Sequence, residues 1–163
     1  HPDIRGGQED VIALMFDMNQ LWERYVVQLL RHAAPPGCTV EAQQRQLFWE
    51  AAGLPDANLK PDIVLRGPGG SVTVLDTKWK LIEGGRPTDA DLRQLFAYQH
   101  RWDSPHGYLV YPDADSKITP GRFHDSSYHC HVMGVHVLDT QGRLNPALGT
   151  KIWEMLNMEK MPS

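Results

Sequence analysis

Asp62-Ile63-Val64-Leu65-Arg66-Gly67-Pro68-Gly69-Gly70-Ser71-Val72-Thr73-Val74-Leu75-Asp76-Thr77-Lys78 is the stretch that decides the fold. Two runs rich in β-branched side chains flank a Gly/Pro segment, the pattern of a β-hairpin. With the turn centred near Gly69, Asp62 falls opposite Asp76. Asp76 and Lys78 alternate along one strand and project from the same face. Two carboxylates and one ammonium then share one end of that face. Carboxylates this close repel unless a proton or a divalent cation lies between them. An all-oxygen site suits Mg²⁺, which keeps waters and pairs with phosphate oxygens. Such a cation polarises a phosphodiester and lowers the pKa of a water, while Lys78 orients that water or offsets developing negative charge. Geometry alone also admits a cross-strand salt bridge on a solvated sheet edge.

Outward from the hairpin, helices and strands alternate. Glu9 to Arg31 contains no Pro or Gly. Val11, Leu14, Met15, Met18, Trp22, Tyr25, Val26, Leu29 and Leu30 recur there at steps of three and four, predicting a long amphipathic helix. Pro35-Pro36-Gly37 ends it. Cys38 to Val40 begins a strand, and Glu41 to Ala52 is expected as a short helix. After a loop over Leu81 to Arg86, Thr88-Asp89-Ala90-Asp91 has the form of a capping box. It opens a helix from Asp89 to Trp102, with Leu92, Leu95, Phe96 and Tyr98 on or near its buried side. Gly107 to Tyr111 is a third strand, Asp113 to Tyr128 a loop, Val132 to Leu138 a fourth strand, and Pro146 to Met158 a closing helix. This order predicts an α/β architecture with a mixed central sheet flanked by helices.

The 163 residues fit one domain. The first residue is His1, so the chain is expected to be a fragment of a longer protein that lacks its N-terminal region. No apolar run approaches the ~20 residues of a membrane span, and no membrane partner is expected. Cys38 and Cys130, the only cysteines, fit a reducing, cytoplasmic setting. A net charge of -4 argues against a protein that coats nucleic acid by bulk charge.

Pro61-Asp62, thirteen residues, then Asp76-Thr77-Lys78 resembles the PD-(D/E)xK nuclease signature. The dipeptide Pro-Asp occurs four times, yet only here does it open a strand whose hairpin partner ends in Asp-x-Lys. The resemblance implies a restriction-endonuclease-like fold and metal ligation by Asp62, Asp76 and the backbone carbonyl of Thr77. Gln94 and Tyr98, one helical turn apart, resemble the Gln-x-x-x-Tyr motif of RecB-like members, and Glu23 stands where many members carry a supporting acid. Longer blocks resemble the C-terminal nuclease domain of the McrC family, the endonuclease subunits of modified-cytosine restriction systems. They are Phe16-Asp17-Met18-Asn19-Gln20-Leu21-Trp22-Glu23-Arg24-Tyr25-Val26, Leu59 to Leu65, Val74 to Lys80, Asp89 to Tyr98, and Leu109-Val110-Tyr111-Pro112.

That likeness implies a Mg²⁺-dependent endonuclease, with Mn²⁺ able to substitute. Double-stranded DNA would be the substrate and a McrB-like AAA+ GTPase the partner. Asp62, Asp76, Lys78 and Glu23 would be the catalytic set, supported by Gln94 and Tyr98, with Arg93 and Arg101 as phosphate contacts or plain solvated charges. A non-catalytic DNA-binding or assembly module, or a stand-alone repair or defence nuclease, would carry the same fold. His124, His129, Cys130, His131 and His136 crowd one stretch, but their spacing fits no familiar zinc pattern. His129 and His131 would share a face if this is a strand, and Cys130 is expected to be inert.

Overall fold

A computed structural model describes residues 17–158. Helix α1 (Met18–His32) begins where the Asp17 carboxylate accepts the N–H groups of Asn19 and Gln20 at 3.1 and 3.2 Å. Asp17 has extended backbone, so no continuous helix runs through it from Glu9; Val11, Leu14 and Met15 lie outside the described residues. An N-cap carboxylate satisfies orphan N–H groups at the cost of the preceding turn.

The central sheet has six strands in the order β1 (Thr39–Ala42), β4 (Ile63–Arg66), β5 (Val72–Thr77), β6 (His106–Pro112), β8 (His129–Val135) and β7 (Lys117–Thr119). It is antiparallel at both edges and parallel where β6 meets β5 and β8. This is the expected mixed sheet, with three corrections. The segment expected as a helix over Glu41 to Ala52 instead finishes β1 and forms β2 (Gln46–Trp49), which pairs with β3 (Ala57–Leu59) in a separate hairpin. Pairing of Val40 with Leu65 and of Ala42 with Ile63 claims the first part for the sheet, and Gln43, at φ 53°, breaks any helical path. The expected loop after Pro112 contains β7, a short edge strand held by β8. The fourth strand spans His129–Val135 rather than Val132 to Leu138, because its ladder with β6 starts at His106↔His129.

Alternation along the buried strands divides the core. Ile63, Leu65, Leu75, Tyr108, Val110 and Met133 face α1 and α3 (Leu148–Met158), a helix that starts two residues after the expected Pro146. Val64, Val74, Leu109 and Tyr111 face α2 (Asp89–Trp102), which presents Leu95, Tyr98 and Trp102. Phe96, expected near the buried side, is 40% exposed and packs edge-on to Phe123. Thr88 caps α2 as its sequence predicts, accepting the Asp91 N–H at 3.2 Å. At the other end Gln99, fully buried, donates through Nε2 to the carbonyls of Ser104 and His129, both at 3.0 Å. Gly107 on β6 makes room for it: a Cβ there would stand 2.7 Å from the Gln99 side chain. Among the described residues no helix is long and apolar enough to cross a membrane.

Candidate active site

The hairpin register pairs Ile63 with Leu75, which sets Asp62 opposite Asp76 as the sequence predicts. Asp62 is anchored through one oxygen: its Oδ2 accepts the Thr77 N–H at 2.7 Å and the Thr77 hydroxyl at 2.8 Å. In extended backbone the N–H and C=O of a residue point the same way, so the Thr77 carbonyl is turned toward the same side as Asp62. Asp76 is 2% exposed. Burial, reinforced by the charge of Asp62 and opposed by Lys78, pushes its carboxyl up to about 7.

Lys78 Nζ stands 2.6 Å from Asp76 Oδ2, donates to Gln94 Oε1 at 2.8 Å and lies 3.6 Å from Asp91 Oδ1. Burial works against its charge, but Asp76, Asp91 and Asp62 together outweigh that and raise its pKa. Gln94 passes the chain on, donating to the Tyr98 hydroxyl at 2.8 Å. Burial, with Asp76 adding to it, pushes that phenol up to about 12. The structure thus brings Asp62, Asp76, Thr77, Lys78, Gln94 and Tyr98 together at the end of β5.

Glu23 lies at the rim. Its Oε1 accepts from Gln43 at 2.6 Å, and Lys60 donates to the same Gln43 side chain at 3.3 Å. Burial and the charge of Asp62 raise the Glu23 pKa against the Gln43 bond. Arg93 stays outside the cluster, 80% exposed and 3.9 Å from Asp89; Arg101 is exposed as well.

The donor set fits a hard cation. Lys78 Nζ meets the buried Asp76 Oδ2 at 2.6 Å, and no other group bonds that oxygen. Asp62 commits only Oδ2 to Thr77. Among the described residues no three His, Cys, Asp or Glu side chains gather as a metal cage. A cation would therefore rest on two carboxylates and a carbonyl and keep waters, the habit of Mg²⁺ rather than of Ca²⁺ or zinc.

Sequence reading missed three contributors. Asp91 was explained by its capping position; Lys80, which donates to Asp91 Oδ2 at 2.5 Å, extends the alternation Asp76, Lys78, Lys80. Gln43 had no local signal. His106, His129 and His131 do share a face, with ring centroids 5.1 to 6.0 Å apart, at the start of β6 and β8 and on the side of the sheet opposite the acids. Burial pushes the Cys130 thiol up to about 12, which keeps it protonated.

Comparison with known proteins gives this arrangement a context. A solved structure described as a refined half-complex from the tetradecameric assembly of Thermococcus gammatolerans McrB AAA+ hexamers with bound McrC aligns with a TM-score of 0.66 at 20% identity. The alignment covers 88% of this chain and 33% of that one, so the chain spans about a third of that neighbour's length. At that identity the likeness shows the fold, a mixed sheet flanked by helices of the restriction-endonuclease type. The SPO1766 protein of unknown function from Silicibacter pomeroyi aligns with a TM-score of 0.35 at 17% identity, over 90% of this chain and 88% of that one. No curated protein matches. The sequence profile described as McrBC 5-methylcytosine restriction system component matches residues 1–112, a span that holds the acid pair, Lys78 and all of α2, and the chain belongs to that family.

Proposed function

We propose that this chain is the nuclease part of a longer McrC-like subunit, a Mg²⁺-dependent endonuclease that hydrolyses phosphodiester bonds of double-stranded DNA. The observation that carries this reading is the convergence of Asp62, Asp76 and Lys78 on one face at the end of β5. The bound AAA+ hexamers of the Thermococcus neighbour support a GTP-hydrolysing McrB-like partner for this chain, and the family description supports modified cytosine as the mark that directs cleavage.

Asp62, Asp76 and the Thr77 carbonyl would hold the cation. Bound there, Mg²⁺ supplies Lewis-acid polarisation of the phosphoryl group and lowers the pKa of an attacking water. The remaining work falls to side chains. Thr77 fixes the Asp62 carboxylate through two donors, so its free oxygen has one orientation. Gln94, itself tied to Tyr98, directs the Lys78 ammonium. The charged state of Lys78 is favoured by its carboxylate neighbours, which suits it to offset charge building on the phosphoryl oxygens rather than to accept a proton. Glu23, bonded to Gln43 and within electrostatic reach of Asp62, would adjust the acid pair from the rim.

The test is cleavage of methylated plasmid by the full-length subunit with its partner, GTP and Mg²⁺. Asp76→Ala should abolish cleavage while circular dichroism shows an intact fold. Cleavage near the wild-type rate would refute the assignment.

A further inference from the structure

Asp91 lies in the first turn of α2, where an acid needs no special explanation, since any carboxylate there meets the positive helix end. Such an acid can remain in solvent. Asp91 is instead 7% exposed and divides its two oxygens between two lysines. Oδ2 accepts from Lys80 at 2.5 Å and from the Tyr111 hydroxyl at 3.4 Å; Oδ1 lies 3.6 Å from Lys78 Nζ. Burial works against its negative charge, but the bonds from Lys80 and Thr88 and the charge of Lys78 hold its carboxyl below the usual range.

The two lysines differ in access. The Lys78 side chain is 19% exposed and faces Asp76, whereas that of Lys80 is 42% exposed. An ammonium has three donors, and Asp91 takes one from Lys80, leaving others toward solvent. With Asp76 ionised, Asp62, Asp76 and Asp91 against Lys78 and Lys80 leave one negative charge in excess. A divalent cation between the acids would turn this into one positive charge, which balances a single phosphodiester.

We propose that Asp91 is a positioning residue of the cleavage site, holding Lys78 beside Asp76 and Lys80 at the mouth, where Lys80 bonds a DNA phosphate flanking the scissile one. This rests on the endonuclease reading. It divides labour: Asp91 acts on the rate of the chemical step through Lys78, and Lys80 acts on binding.

The experiment uses the full-length subunit with its partner and a methylated duplex. Single-turnover cleavage is measured in Mg²⁺, and binding is measured in Ca²⁺ over a salt series. Asp91→Asn should lower the single-turnover rate at saturating DNA roughly ten- to a hundredfold, and Asp91→Glu should recover part of it. Lys80→Gln, a change at a half-exposed side chain, should weaken binding of the duplex at low salt. It should also make the plot of log affinity against log salt shallower by about one. Wild-type cleavage by Asp91→Asn, or an unchanged salt slope in Lys80→Gln, overturns the inference. Asp76→Ala run in parallel separates the two readings. If it is inactive, either of those results sinks this inference alone; if it cleaves like wild type, both readings fall.

Discussion

Replacing Asp76 by asparagine in chelator-treated protein isolates the cost of holding a buried carboxylate ready for a cation. The carboxyl is raised from 3.8 to about 7, first by burial and then by Asp62, and Lys78 only partly offsets this. Between those two values the folded state binds a proton that the unfolded state has released, so stability falls as pH rises. The loss is complete above the folded value. Of the interval, the portion from pH 5 to about 7 corresponds to ~3 kcal/mol at ~1.4 kcal/mol per tenfold change in proton affinity. Relaxation around the ionised pair brings a realistic figure to ~2 kcal/mol, or about 4–8 °C in Tm for a domain of this size. Asparagine mimics the neutral acid at every pH and carries no such cost. Scanning calorimetry of wild type and Asp76→Asn in EDTA should therefore give a Tm difference that moves in favour of the variant by that amount between pH 5 and pH 8. Comparing two pH values cancels the change in packing. Adding Mg²⁺ at pH 8 should then raise the wild-type Tm more than that of the variant, since binding to the folded state stabilises by mass action. A Tm difference that is the same at both pH values, or equal responses to Mg²⁺, would refute the reasoning.

Two further outcomes follow from features away from the acids. Burial, with the charges of His106 and His129 adding to it, lowers the His131 pKa to about 4. Below ~6.5 the unfolded chain takes up a proton there that the folded state refuses, so stability drops as pH falls from 6.5 toward 4, by ~3 kcal/mol at ~1.4 kcal/mol per pH unit. His131→Phe should flatten that part of the Tm-against-pH curve, and an unchanged slope would contradict it. Gly107→Ala places a Cβ 2.7 Å from Gln99 and should cost ~1–3 kcal/mol in urea unfolding; a variant as stable as wild type would show that Gln99 yields freely.

The hairpin and its acids were readable because β-branched runs and period-two alternation encode strand, register and face at once, as the Asp62–Asp76 pairing shows. Helix α2 was readable from its cap, which the Thr88 hydroxyl supplies. What escaped is fixed from a distance. Residues 41–52 carry no strong strand signal of their own; pairing with β4 draws the first of them into the sheet, while Leu47, Phe48 and Trp49 are left exposed on the β2–β3 hairpin. The three residues of β7 are strand only because β8 lies alongside. Asp91 escaped for a different reason: capping accounted for it locally, and only tertiary packing brings both lysines to its carboxylate.

The anchoring of α2 has a mechanical consequence. With Gln99 bonded across to the loop before β6 and to β8, and Gly107 filled from above, this helix cannot slide along the strands beneath it. Asp91, Gln94 and Tyr98 ride with β5 and β6 as one stiff block. Asp62, the residue just before β4, meets that block through the paired bonds to Thr77, beyond the last rung of the β4–β5 ladder. With β4 laddered to β5, an adjustment of the spacing between the two acids falls on Asp62 itself, on the flank where the Gln43 N–H bonds its carbonyl and Glu23 bonds Gln43.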